Sequence, residues 1–126
     1  MKVEAVPLEW VNRLWPMIEP FITEAVEHCD DYTVDQIKTF VTQGTWLLVT
    51  LSDDKGLQGA GTINFFNRPN DRVAFVTTTG GTGICTADSL HQMKGIVASL
   101  GATKIQAGGR PSMVRMLSRL GFAKRY

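Results

Sequence analysis

Leu8, Val11, Leu14, Trp15, Ile18, Ile22, Ala25 and Val26 recur at three- and four-residue steps, which marks one apolar helix face. Ahead of them residues 2–6 alternate weakly, enough for a short first strand, and Pro7 suits a first helical position. Pro16 and Pro20 interrupt the helical stretch. Proline removes a backbone donor and crowds the preceding turn, so a kink or a division into two short helices is expected. Thr33 and Gln36 have capping-box spacing, in which each side chain satisfies the other's backbone N–H. Ile37, Phe40 and Val41 give that second helix its buried face, and Gly44 ends it.

Three strand patterns follow, at residues 45–51, 57–66 and 72–79, separated by turn-forming segments at 52–56 and 67–71. Connections of hairpin length make the three strands antiparallel neighbours. Gly59 and Gly61 interrupt the middle strand, the mark of a bulge or of a close backbone approach. Gly80, Gly81, Thr82 and Gly83 read as a glycine-rich loop, and a helix begins near Thr86 or Ala87. Its inward face is Leu90, Met93, Val97 and Leu100, with Gly101 at its end. A short strand at 104–107 comes so soon after a helix that it must run parallel to an earlier strand. Gly108 to Pro111 open a last helix with Val114, Leu117 and Leu120 inward. Gly121 stops it, and residues 122–126 add a final strand. No internal repeat is present. The pattern predicts one domain over 1–126, of α/β (α+β) class: a mixed, mostly antiparallel central sheet of about six strands flanked by about four helices.

Composition narrows the function classes. Hydrophobic residues make up 44% and charged residues 20%, the mix of an ordinary globular domain with one core. A net charge of +1 makes no case for whole-protein attraction to nucleic acid or a membrane. Its distribution is uneven, with eight acids against two bases in residues 1–35 and six bases without an acid in residues 102–126. Two solvated faces that pair with each other explain this as well as a basic end for a polyphosphate ligand or an acidic partner does. Cys29 and Cys85 are far apart and lack a histidine cluster, so they read as free thiols rather than zinc ligands. The chain starts without a signal-like apolar core and has no run of membrane-spanning length, so a cytoplasmic location is expected.

The order strand, helix, helix, three antiparallel strands, glycine loop, helix, strand, helix, Gly-Phe resembles the GCN5-related N-acetyltransferase (GNAT) superfamily over essentially the whole chain. Residues 76–100 look like that family's acetyl-CoA pyrophosphate loop, and the run from Arg110 to Gly121-Phe122 looks like its last helix. A narrower similarity is to small GNAT-like proteins of tailed phages and prophages, through Gly109, Arg110, Met113 and Arg115. Successive glycines let N–H groups converge, and a helix N-terminus adds partial positive charge, so such a loop suits a pyrophosphate. The resemblance therefore implies acetyl-CoA held by Val76, Thr78, Gly80, Gly81, Thr82, Gly83 and Arg110, with an amine acceptor left unidentified.

The same resemblance exposes departures. Thr78 stands where the family has Arg or Gln, and Arg110 where it often has Asn. Leu117 occupies the position of the tyrosine that protonates the leaving thiolate, and leucine has no proton to give. Glu24, Glu27, His28 and Asp31 are the candidates for acid–base work, against the alternative of an acidic solvated helix end. His91 is expected on a helix surface. Ser89 and Ser112 have no convincing His–Asp partners, so the sequence does not support a hydrolase triad. Trp10, Trp15 and Trp46 read as core or interface aromatics. Two readings stay open: an acyl-CoA N-acyltransferase, or a GNAT-shaped interaction module without catalysis, in a phage particle if the narrower similarity holds. Many GNAT enzymes continue past Gly-Phe into a hairpin that closes the sheet. Here one possible strand follows, so the expected edge is one that a second copy or a partner chain covers. The basic C-terminal stretch alone does not make a nucleic-acid binder.

Overall fold

Alternation along the strands divides the apolar residues between two faces of one sheet. The computed structural model describes residues 2–27, 32–81, 87–107 and 123–124. The sheet has six strands in the order β1-β2-β3-β4-β5-β6: β1 Lys2–Ala5, β2 Trp46–Asp53, β3 Gly56–Arg68, β4 Asp71–Gly81, β5 Lys104–Ala107 and β6 Ala123–Lys124. The first four pair antiparallel, whereas β4 with β5 and β5 with β6 pair parallel. This is the expected mixed, mostly antiparallel sheet. Three helices are described: α1 Leu8–Val26, α2 Val34–Thr42 and α3 Ala87–Ser99. The fourth expected helix lies outside the described residues.

On one face Val3, Val49, Leu51, Ile63, Ala74, Val76 and Ile105 meet Leu90, Met93 and Val97 of α3. On the other, Trp46, Leu48 and Ala60 meet Val11, Trp15, Ile18 and Ile22 of α1 and Ile37 and Val41 of α2. Neighbouring residues in β2 thus belong to opposite cores, as a two-residue period requires. Ile18, Ile22 and Ile37 are fully buried, and burying each such side chain contributes about 1.5–3 kcal/mol.

The expected break in α1 is corrected: residues 8–26 form one helix with both prolines inside it. Pro16 and Pro20 are exposed and one turn apart, on the outer face. The carbonyls that lose their donors, those of Asn12 and Pro16, lie on the solvent side, while Val11, Trp15, Ile18 and Ile22 hold the inner face. The capping box forms as expected: Gln36 N–H donates to Thr33 Oγ1 at 3.2 Å, and Thr33 N–H donates to Gln36 Oε1 at 2.9 Å. Gly44 (φ 79°) and Gly101 (φ 89°) turn the chain at the ends of α2 and α3. Leu100 departs from the expected inward face. It falls one residue beyond α3 and is 46% exposed.

Of the three tryptophans, Trp15 and Trp46 are core, and Phe40 stacks on Trp46. Trp10 is exposed beneath the Arg13 guanidinium. His91 is on the surface of α3.

Candidate functional site: a wedge between two parallel strands

The pairing of β4 with its two neighbours is unequal. Against β3 it runs from Asp71 to Gly81, but against β5 only from Val73 to Val76, opposite Lys104 to Ala107. Beyond Val76, the edge of β4 that faced β5 has no strand partner among the described residues. The two strands, from the Asp71 end toward Gly81, make up the candidate site, the wedge; β5 is described as far as Ala107.

Polar contacts fasten the closed end. Thr103 N–H donates to Arg72 O at 2.8 Å, and Arg72 N–H donates to Thr103 Oγ1 at 3.0 Å. The Thr103 hydroxyl donates to Asp71 Oδ1 at 3.1 Å, and Lys104 Nζ pairs with Asp71 Oδ2 at 3.2 Å. The hydrogen bond from Lys104 holds the Asp71 carboxyl below its ordinary value, against a smaller opposing effect of burial, and Thr103 adds to the lowering.

A bulge in β4 follows Val76. Thr62 of β3 is opposite Thr78 and Ile63 is opposite Val76, which leaves Thr77 without a counterpart. An extra residue bends and twists its strand, here directly after Val76, the last residue of β4 described in register with β5. Three hydroxyls gather at the bulge. Thr62 Oγ1 bonds to Thr77 Oγ1 at 2.6 Å and also to Thr78 Oγ1, while the Thr77 hydroxyl donates to Thr62 O at 3.0 Å. Thr62 and Thr78 are buried, so this network satisfies polar atoms that the α1 face would otherwise leave unpaired.

The glycines explain how closely α1 and the two long strands approach. A Cβ at Gly80 would overlap the main-chain carbonyl of Phe21 in α1, and one at Gly81 would overlap Gln58 and Gly59. One at Gly59 would come within 2.8 Å of Gly80 O. Gly81 also has a φ of 105°, which L side chains rarely adopt. The expectation of a loop beginning at Gly80 is thereby corrected: Gly80 and Gly81 are the last residues of β4, opposite Ala60 and Gly59. The close approach of Gly59 and Gly61 is as expected. The unpaired residue of the bulge beside Gly59 is Gln58, since Gly59 is opposite Leu51 and Leu57 opposite Ser52.

Of the anticipated binding residues, Val76 buries its side chain in the α3-side core, and Thr78 commits its hydroxyl to Thr62. Thr82, Gly83 and Arg110 lie outside the described residues, as do His28, Asp31, Leu117 and both cysteines. Glu24 and Glu27 are exposed and, with Glu19, Pro16, Pro20 and Thr23, border an open groove on the outer face of α1. The acids thus occupy a solvated helix face, with no residue of the wedge in the groove's border.

One wedge residue was not anticipated. Gln106 of β5 is 7% exposed, and its Oε1 is buried with no hydrogen-bond partner. Its neighbour Ile105 belongs to the α3-side core, so Gln106 faces the opposite side, beside its register partner Phe75 and toward the Thr77 bulge. The signal in the sequence was an amide within the short apolar strand Lys104–Ala107. Among the described residues no cluster of His, Cys, Asp or Glu could hold a metal, and no helix is long and apolar enough to cross a membrane.

No protein-family model matches the chain. No curated protein matches it. Solved structures do. A probable acetyltransferase superposes with a TM-score of 0.72 at 12% identity, covering 100% of this chain and 92% of the other. Ribosomal-protein-alanine N-acetyltransferase from Brucella melitensis biovar Abortus 2308 gives 0.69 at 11% identity, covering 100% and 95%. A predicted acetyltransferase from Clostridium acetobutylicum, solved with acetyl-CoA, gives 0.63 at 9% identity, covering 98% and 90%. At such identities the likeness concerns the path of the chain. The element order and mixed sheet described above go with that likeness: the protein has the GCN5-related N-acetyltransferase fold.

Proposed function

We propose that this protein is an N-acyltransferase that takes its acyl group from acetyl-CoA in the β4–β5 wedge and passes it to an amine. The observation that carries this reading is the fold, a mixed sheet whose parallel strands β4 and β5 are fastened by Asp71, Thr103 and Lys104 and whose β4 carries a bulge at Thr77. A slender ligand chain with its own amides can lie along the β4 edge as a further strand would. The buried, unpartnered amide of Gln106 fits a ligand of that kind. The neighbour solved with acetyl-CoA supports the same assignment.

In this reading those main-chain N–H groups between Val76 and Gly81 that do not pair with β3, with those of Thr82 and Gly83, supply the donors, and Arg110 supplies positive charge for the phosphates. Acyl transfer forms the amide C–N bond and breaks the thioester C–S bond. A main-chain N–H of β4 polarises the carbonyl, as oxyanion donors do elsewhere. The amine loses a proton and the departing thiol gains one. Glu24, Glu27, His28 and Asp31 are the candidates for accepting the first proton. Leu117 cannot supply the second, so that proton comes from solvent or another side chain.

A second reading, a GNAT-shaped interaction module without catalysis, is favoured by Leu117 and by the engagement of Thr78 with Thr62. Both proposals place the protein in the cytoplasm, or in a virion for the second. Isothermal titration with acetyl-CoA and with CoA separates them. Micromolar binding of both supports the acyltransferase, and an amine screen then identifies the acceptor. No heat at millimolar ligand, together with recovery of a partner chain or a self-association constant by sedimentation, establishes the interaction module instead.

A further inference from the structure

The end of the sheet away from Gly81 carries an apolar cleft. β2 begins there with Trp46, β3 runs out past Phe65, and β4 begins with Asp71 and Arg72. The entry to α1 and the exit from α3 complete the wall, through Leu8 and Leu100. The cleft has a volume of about 300 Å³, at the small end of the range usual for small-molecule sites. Val11, Val41, Trp46 and Leu48, all buried, line it from the α1-side core, and Phe65 lines it from the α3-side core. Leu8 and Leu100 also line it and are 55% and 46% exposed, so two large apolar side chains are left in water at its mouth.

Arg72 is the one charged side chain among the described residues that line this cleft. Its guanidinium lies over the Phe65 ring, with Cζ 5.0 Å from the ring centroid, and its Nε–H donates to Leu100 O at 3.2 Å. Both contacts are with lining residues, so they fix the cation between two walls of the cleft. Nη1–H donates to Asn67 Oδ1 at 3.2 Å, while Nη2 has no acceptor among the described residues. An apolar enclosure with one fixed cation selects a monoanion with an apolar body. A phosphate dianion would lose more hydration there than one guanidinium replaces, whereas a carboxylate matches the planar fork with a single charge. We infer that this cleft binds a small monocarboxylate, with the carboxylate on Arg72 and the hydrocarbon body against Leu8, Trp46 and Leu100. The site is separate from the one proposed for acetyl-CoA. Arg72 gives only its main chain to the fastening of β4 to Thr103, and Gly81 is about 30 Å away along the strand at the usual rise per residue.

The test is titration of hydrocinnamate and octanoate into the full chain, followed by calorimetry and by amide NMR. Hydrocinnamamide, the uncharged counterpart, and inorganic phosphate are the controls. At least one carboxylate should bind with a dissociation constant of about 1 mM or below. Its shifts should centre on Leu8, residues 44–48, Phe65, Arg72 and Leu100, and the amide and phosphate should each bind about 10-fold more weakly or worse. Arg72→Met keeps the stem, removes the cation and should weaken the carboxylate by about 10-fold or more. Leu8→Glu sets an acid at the mouth, in an exposed first-turn position that suits a glutamate, and should weaken it by about 3- to 10-fold. Should Arg72→Met fail to fold, Leu8→Glu decides alone, and an unchanged affinity in it overturns the inference. No shift with either carboxylate at about 10 mM, equal affinity for acid and amide, or shifts centred on Gly59 and Gly81 would each overturn it as well. So would a concentration-dependent dimer in sedimentation that Leu8→Glu abolishes, because a second copy would then cover the mouth.

Discussion

Gly80, near the end of β4, packs its Cα against the main-chain carbonyl of Phe21 in α1, where an added Cβ would be 2.8 Å from the carbonyl carbon. Both groups are backbone, so neither can swing away. Gly80→Ala must push α1 off the sheet and should destabilise the protein by about 3 kcal/mol or more, read as a lower denaturation midpoint. Gly81→Ala should behave alike, because its Cβ meets Gln58 and Gly59 and its φ is 105°. Substitutions at these glycines therefore report on folding, and a loss of ligand binding in them says little about a ligand.

Thr62 is the hub of the hydroxyl cluster at the bulge, joined to both Thr77 and Thr78. Thr62→Val keeps the shape but removes the partner of the buried Thr78 hydroxyl, while the half-buried Thr77 keeps its bond to the Thr62 main-chain oxygen. A loss of about 1–3 kcal/mol is expected, with an unchanged denaturant m-value if the bulge persists. A loss no larger than that of an exposed threonine, such as Thr39, would show that the cluster does not hold β4 in its bend.

Pro16 occupies an exposed interior position of a continuous helix. Pro16→Ala restores a donor to the Asn12 carbonyl and removes the ring's crowding of that turn. Stabilisation by about 1 kcal/mol is the expected outcome in thermal or denaturant melts. No gain would mean that water already satisfies the Asn12 carbonyl and that the helix is bent around the ring without strain.

Thr33→Ala removes the cap of α2, whose hydroxyl accepts from Gln36 N–H. It should cost about 1 kcal/mol, and Gln36→Ala should cost less, because the Thr33 N–H it strands is exposed. Equilibrium denaturation of both single variants and the double variant would show whether the two halves of the box are coupled.

Asp71 tests the fastening of the wedge. Its carboxyl is held below the ordinary value in the folded protein, chiefly by Lys104, so its contribution to stability is present above the unfolded-state pKa and is lost as pH falls through the folded one. The difference in Tm between wild type and Asp71→Asn should be small at neutral pH and shrink further under acid. It should also shrink in high salt, because the pair is exposed enough to be screened. A difference that persists at acid pH would assign the effect to packing rather than charge.

The first half of the chain was legible because its signals are local. The three- and four-residue spacing from Leu8 to Val26, the Thr33 and Gln36 pair, and the turn residues at 52–56 and 67–71 each act within a few residues of themselves. The prolines misled because sequence shows that they interrupt a helix, not that both face water on a helix whose other side is anchored by Val11, Trp15, Ile18 and Ile22. Leu100 misled because its spacing fits the α3 face but the chain has already turned toward Gly101.

The sequence by itself determined the succession of the described elements, the antiparallel run of β2 to β4, the parallel return of β5, and the close backbone approach at Gly59 and Gly61. Those follow from propensity, period and turn chemistry, which operate over short stretches of chain. Only the tertiary structure decided what the glycines are for, that Gly80 admits Phe21 of α1 and that Gly81 admits Gln58 and Gly59. Only it brought Asp71 to Lys104, gathered Thr62, Thr77 and Thr78 at the bulge, and enclosed Gln106 without a partner. Each of these depends on strand register and on residues far apart in the chain. Whether a polar side chain is buried or paired is a property of the space around it, and that space exists only once the sheet has formed.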